Sequence, residues 1–137
     1  MDFDHGFAPA QGWVIQSEDA TTNRRYYLGW YDGTNFQPTT GAGIGIQITN
    51  NVWQNITYTK NGTTLIGYNN GASVYTPSAA ANANVSYITG RNTTIANAAS
   101  FARYFNGDFG TIIIYNRVLS AGEVLQNYNA LKSRFGL

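Results

Sequence analysis

The 137-residue chain carries eight Lys and Arg against seven Asp and Glu, a formal net charge of +1, and only 11% of its residues are charged. That balance excludes the basic footprint of a nucleic-acid binder or of a protein held on an anionic membrane. The absence of cysteine excludes a disulfide framework and a thiolate site.

The length suits one domain with a real core. Fifteen Gly and an aromatic share of 15% fit a β-rich fold with a neutral polar surface. The start, Met1-Asp2-Phe3-Asp4-His5, lacks the basic region and apolar run of a secretory signal. No stretch reaches the length that spans a bilayer, so the expectation is a soluble chain without a membrane partner.

In chain order, Trp13-Val14-Ile15 begins a strand, and Arg25 to Tyr31 forms another, closed by Asp32-Gly33. Ile44, Ile46 and Ile48 alternate with Gly45 and Gln47, the pattern of a half-buried strand. Gly41-Ala42-Gly43-Ile44-Gly45-Ile46 is neither a dinucleotide fingerprint nor a Walker loop, and its glycines read as close packing. After Asn50-Asn51, the run Val52 to Thr59 places Ile56 and Tyr58 on one face. Lys60-Asn61-Gly62 turns the chain into Thr63 to Tyr68, and Asn69-Asn70-Gly71 turns it again. Two Asn-Gly signals in succession predict an antiparallel meander.

Thr76 to Asn84 reads as a low-complexity loop, with extended residues resuming at Val85 to Ile88. Asn106-Gly107 is a tight-turn signal, and Phe109 through Ile112, Ile113 and Ile114 to Tyr115 has the composition of a buried strand. Ser120 stands three residues before Glu123, the spacing of a capping box, with Leu119 and Val124 placed for a hydrophobic staple. Val124, Leu125, Tyr128 and Leu131 repeat at helical spacing, Phe135 follows one turn on, and Gly136 is a terminator. A helix over 121–134 follows. Many antiparallel strands and one terminal helix predict an all-β sandwich.

Trp53 to Gly62, Tyr68 to Gly71, Ile88-Thr89-Gly90, and Phe105 to Gly107 continuing through Ile114-Tyr115-Asn116-Arg117-Val118-Leu119-Ser120 closely resemble the laminin-G-like, concanavalin A-like jelly-roll family. The likeness covers roughly residues 50–131, with a weaker extension back to Trp13. The tail Gln126 to Gly136 resembles the endings of such domains in tailed-phage structural proteins, marine phages and cyanophages among them. The resemblance implies a single antiparallel jelly roll over 1–137 that lacks the family's first strand or strands. It also implies a virion setting, reached without a signal peptide: a capsid decoration or fibre component. Partners would be other virion proteins or copies of itself, because a sandwich lacking an outer strand exposes an unpaired edge. The other reading of the short start is a carbohydrate-binding adhesin domain of a larger cellular protein.

Trp30, Tyr31, Asp32 and Asn35 are candidate glycan contacts, an aromatic face for a pyranose with polar ends for its hydroxyls. A core Trp followed by an ordinary turn explains the same residues, and aromatics more often serve packing. Tyr104, Asn106 and Asp108 would form a second polar rim, although turn chemistry alone accounts for Asn106 and Gly107. Trp53 reads as core.

Some relatives hold calcium at the sandwich rim, which makes Asp32 and Asp108 candidate ligands. Calcium takes six or more oxygens, and this chain has seven carboxylates in all, with Gly110 where the family commonly has Asp. No cofactor is therefore expected. Other relatives are glucanases with clustered acids on one strand. Glu18 and Asp19 are adjacent and would point to opposite faces of a strand, and no Glu-x-Asp-x-x-Glu series or Gly-x-Ser-x-Gly elbow is present. The expectation is a non-enzymatic module. Sequons at Asn55, Asn61, Asn84 and Asn92 read as coincidence in an Asn- and Thr-rich chain.

Overall fold

The computed structural model describes residues 12–17, 24–37, 45–76, 84–87, 95–98 and 103–137. Strands β1 (Trp13–Ser17) and β2 (Arg25–Tyr31) pair antiparallel, with Trp13 opposite Trp30 and Ile15 opposite Leu28. The other edge of β2 carries two short strands. Its end pairs with β3 (Phe36–Gln37) and its start with β4 (Ile46–Gln47). Gly29 lets the β2 backbone lie under the ring of Phe36, since a Cβ there would collide with that ring.

The second sheet is the expected meander: β5 (Ile56–Asn61), β6 (Thr64–Asn69) and β7 (Ala72–Tyr75), in that order. Asn69 opposes Ala72, so Asn70-Gly71 is a two-residue turn with both residues at positive φ (51° and 79°), as a primed hairpin turn requires. In the β5–β6 turn Asn61 opposes Thr64, which makes Gly62 and Thr63 the two loop residues, one position later than the sequence predicts. A small ladder joins β8 (Asn97–Ala98) and β9 (Arg103–Tyr104).

Helix α1 (Ala121–Leu131) begins with a complete capping box. The Ser120 hydroxyl accepts from the Glu123 N–H, and the Glu123 carboxylate accepts from the Ser120 N–H at 2.8 Å. A 3₁₀ turn over Lys132–Phe135 follows, and Gly136 closes it in the left-handed conformation at φ 67°. The predicted helix over 121–134 thus divides into an α segment and a tightened last turn, a common way for terminal carbonyls to find donors.

The layers follow from alternation along β6. Leu65 points toward the first sheet and packs in one core with Trp30, Trp13, Leu28, Tyr58, Tyr75 and Val85. Tyr68 and Ile66 point the other way and pack with Leu119 and Val124 at the helix entry. The second sheet is therefore covered on both faces, by the first sheet and by the helix. Ile56 and Tyr58 share the inward face through their register with Asn69 and Gly67. The Tyr58 hydroxyl donates to the Tyr26 carbonyl, tying the sheets together, and burial holds the Tyr58 pKa above its usual range. The antiparallel sandwich with one short C-terminal helix matches the expected fold class.

Two expectations need correction. The segment from Phe109 to Tyr115 forms no ladder, and Ile112, Ile113 and Ile114 are exposed. A strand exists through its partner, and β propensity marks residues that suit one without supplying it. The strand expected across Ile44 to Ile48 is reduced to a bridge at Ile46–Gln47; Ile44 lies outside the described residues, and Ile48 N–H still donates to the Arg24 carbonyl at 2.9 Å. From Val85, where extended residues are expected to resume, the chain is tied to the first sheet, with Ser86 held between Tyr31 and Gly12 by main-chain bonds of 2.8 and 2.6 Å, and Ile88 lies outside the described residues.

Leu65→Ala removes a buried side chain from the contact between the sheets and should lower the unfolding free energy by about 3 kcal/mol. Ser120→Ala should lower it by about 1 kcal/mol, because it removes only the cap. Urea denaturation measures both, and equal losses would contradict this division between core and cap.

Candidate functional site

β2 separates the first group of candidate residues by its own geometry. Successive residues of a strand face opposite sides. Trp30 therefore turns inward at 1% exposure, with the Lys60 ammonium 4.6 Å from its ring centroid. It offers no face to a ligand and is corrected to a core residue. Tyr31 turns to the other side, half-buried, where it meets the ring of Phe36 edge-on at 5.2 Å and burial raises its pKa.

Asp32 organises the turn that follows. One carboxylate oxygen accepts from the N–H groups of Thr34 and Asn35 at 2.9 and 2.8 Å, and the other accepts from the Gln37 amide at 2.9 Å. This is the side-chain-to-backbone turn that Asp forms readily. It leaves Asn35 exposed at the tip.

The second group is differently built. The side chain of Tyr104 lies outside the described residues. Beyond it, Asn106 and Asp108 are exposed, and on either side of them stand Phe105 and Phe109. These two rings are 36% and 46% exposed and contact one another at 4.5 Å, tilted by 42°. Gly107 makes the arrangement possible, since a Cβ there would lie 2.7 Å from the Phe105 ring. Its φ is not positive, so the glycine serves close approach here, not the tight turn that the Asn-Gly pair predicts.

The aromatic surface continues past Phe109. Gly110 lies against Phe135, whose ring would be 2.7 Å from an added Cβ, and Phe135 contacts Trp53 at 4.9 Å. Trp53 is 39% exposed, which corrects its reading as a core residue. The sequence reading missed Phe105 and Phe109. The signal that could have found them is a pair of aromatics bracketing Asn-Gly-Asp, too polar a stretch to bury both rings.

A shallow cleft of about 260 Å³ lies between residues 115–119 and α1, lined by Tyr115, Arg117, Leu119, Glu123, Asn127 and Ala130. It is smaller than the roughly 300–1,000 Å³ usual for a small-molecule site. Its carboxylate is committed. Glu123 receives Arg117 at 2.6 Å and both the N–H and the hydroxyl of Ser120. Hydrolysis of a glycoside calls for two carboxyl groups placed across the bond, and this cleft's lining holds Glu123 alone. Among the described residues no three Asp, Glu or His side chains cluster as a metal site would require.

A family model described as "Concanavalin A-like lectin/glucanases superfamily", the laminin-G type, matches residues 3–125. No curated protein matches the chain. Among solved structures, an S-layer domain-containing protein (residues 221–444) from Clostridium thermocellum ATCC 27405 is similar over 93% of this chain and 70% of that one, at 17% identity and a TM-score of 0.40.

The Arg117 guanidinium, followed by the bonds from Ser120, holds the Glu123 carboxyl at about 2, well below its usual 4.5. A carboxyl with a lowered folded-state pKa contributes its stability above the unfolded value, and loses it as pH falls through the folded one. The helix entry should therefore weaken between about pH 4.5 and 2. Glu123→Gln should be less stable at neutral pH and change less across that window. Thermal melts in far-ultraviolet circular dichroism measure this, and parallel pH profiles would count against it.

Proposed function

Because the chain belongs to the concanavalin A-like lectin/glucanases superfamily, we propose that it is a non-catalytic surface module that holds glycans on its Phe105–Phe109 face. The observation that carries the reading is the exposed ring pair with Asn106 and Asp108 between its members. Sugar recognition joins an apolar ring face, which takes the C–H side of a pyranose, to a few polar groups that fix its hydroxyls. An amide supplies both donors and an acceptor, and a carboxylate supplies acceptors. The neutral, Asn- and Thr-rich composition suits uncharged ligands rather than polyanions. The Tyr31–Asn35 turn is the secondary candidate, with Asn35 at its tip and Asp32 spent on holding the turn.

The setting we propose is a virion surface, as a capsid decoration or fibre component. Its support is the likeness of the Gln126 to Gly136 tail to the ends of phage structural proteins. Purified particles containing the chain in fixed, symmetric copy number would uphold that setting. Recovery of the chain only within a larger cell-surface protein would replace it with the adhesin reading.

Glycan binding is tested on an array of neutral oligosaccharides, followed by titration calorimetry with each hit. Phe109→Ala should weaken binding by about tenfold, equivalent to ~1.4 kcal/mol, while Trp30→Phe should leave the affinity of the folded protein nearly unchanged. Retention of full affinity by Phe109→Ala would place the site elsewhere. A folded protein that binds nothing on the array would overturn the glycan reading.

A further inference from the structure

Asn-Gly occurs at 61–62, 70–71 and 106–107. In each pair a side-chain amide stands beside the main-chain nitrogen of a residue without a Cβ, the least hindered a protein offers. The chemistry open to such a pair is internal. The Gly nitrogen, once its proton has passed to hydroxide or water, attacks Cγ of the preceding Asn. An N–Cγ bond forms, the Cγ–Nδ2 bond breaks, and ammonia leaves with a proton from solvent. Water then opens the five-membered imide at one carbonyl or the other. The product is Asp, or its isomer with the main chain routed through the side chain. No oxidant or reductant takes part. The rate depends on how freely the backbone brings nitrogen and Cγ together, so the fold chooses among the pairs.

At Asn70-Gly71 both residues are fixed. Asn70 Oδ1 accepts from the Asn55 N–H, and the Asn70 N–H donates to the Asn55 carbonyl, each at 2.9 Å. Gly71 is buried in its two-residue turn. At Asn61-Gly62 the Asn closes the β5–β6 ladder opposite Thr64, and the Gly62 carbonyl accepts from the Lys60 ammonium at 2.9 Å. Asp32-Gly33 is able to form the same imide, but its carboxylate is engaged by Thr34, Asn35 and Gln37. Asn106-Gly107 differs from all of these. The Phe105 N–H still donates to the Ala96 carbonyl at 2.9 Å. Beyond it Asn106, Gly107 and Asp108 are exposed, and among the described residues none of the three makes a hydrogen bond.

We propose that Asn106 is a site of spontaneous deamidation, converted through a cyclic imide with Gly107, and that the change ages the Phe105–Phe109 face. Either product sets a second carboxylate two residues from Asp108. The isomer also adds a main-chain carbon between Phe105 and Phe109. Their rings contact at 4.5 Å, and the Phe105 ring lies so close over Gly107 that a Cβ there would be 2.7 Å away. A longer connection between the two residues parts the rings.

The modification is read by mass, so it stands or falls separately from glycan binding. The full chain is incubated at mildly alkaline pH, and peptide mapping by mass spectrometry follows each Asn-Gly pair, with an isoaspartyl methyltransferase marking the isomer. Asn106 should convert at least about tenfold faster than Asn70, which must first break its bonds to Asn55, with Asn61 between them. In concentrated urea the three should convert at similar rates, which assigns the difference to the fold. Asn106→Gln, whose longer side chain would need a six-membered ring, should abolish conversion there in a protein that folds normally. Equal rates in the folded chain, or conversion led by Asn61 or Asn70, would overturn the proposal. The same ranking in urea would overturn it too, since local sequence alone would then explain it. The aged protein should differ from Asn106→Asp, which has the charge without the added carbon, in its near-ultraviolet circular dichroism. Identical spectra from a sample rich in the isomer would overturn the parting of the rings.

Discussion

The structure depends on β6 being buried on both faces at once. Leu65 enters the core with Trp30, and Tyr68, three residues later, enters the one formed with Leu119 and Val124. Period-two alternation makes this possible, because odd and even positions of one strand serve different layers. A strand with a single buried face could slip by one residue and exchange its faces. β6 has no such latitude, since either slip would place Thr64 or Gly67 where a large side chain is needed. The adjoining strands take their register from it.

The Asn70-Gly71 turn carries that constraint outward. Gly71 is buried, and a Cβ there would lie 2.9 Å from Leu125 and 3.1 Å from Tyr128. The same glycine thus supplies the backbone conformation of the hairpin and the clearance for α1. Because α1 holds Tyr115 through Asn127, and the 3₁₀ turn meets Gly110 and Trp53 through Phe135, the exposed aromatic surface is anchored on the helix side of the sandwich. Both the exposed Phe105–Phe109 face and the apolar segment owe their position to these few contacts.

Features governed by near neighbours were legible in the sequence. The Ser120–Glu123 cap and the Leu119–Val124 staple are set by spacings of three and five residues, and both are present. The meander was legible because turn chemistry at Asn70-Gly71 is local. Trp30 and Tyr31 show where such reading ends: adjacency in sequence suggested one platform, and the strand sends the rings to opposite faces. Ile112 to Ile114 show a second limit, since composition marks a strand but cannot name its partner. Phe105 and Phe109 went unread because whether a ring is exposed depends on what remote segments leave uncovered.

The mode of attachment of α1 has a mechanical consequence. Strands β5, β6 and β7 are joined edge to edge by hydrogen-bond ladders, and a load along their length must shear many bonds together. α1 rests on the sheet by side-chain contact, chiefly Val124 with Leu119 beside it. Tension applied through the helix would peel those contacts one after another, at forces below those needed to shear a ladder. Peeling would uncover Ile66 and Tyr68 while Leu65 stayed seated against Trp30. Under load the module would lengthen by a helix and keep its sandwich, a built-in mechanical fuse.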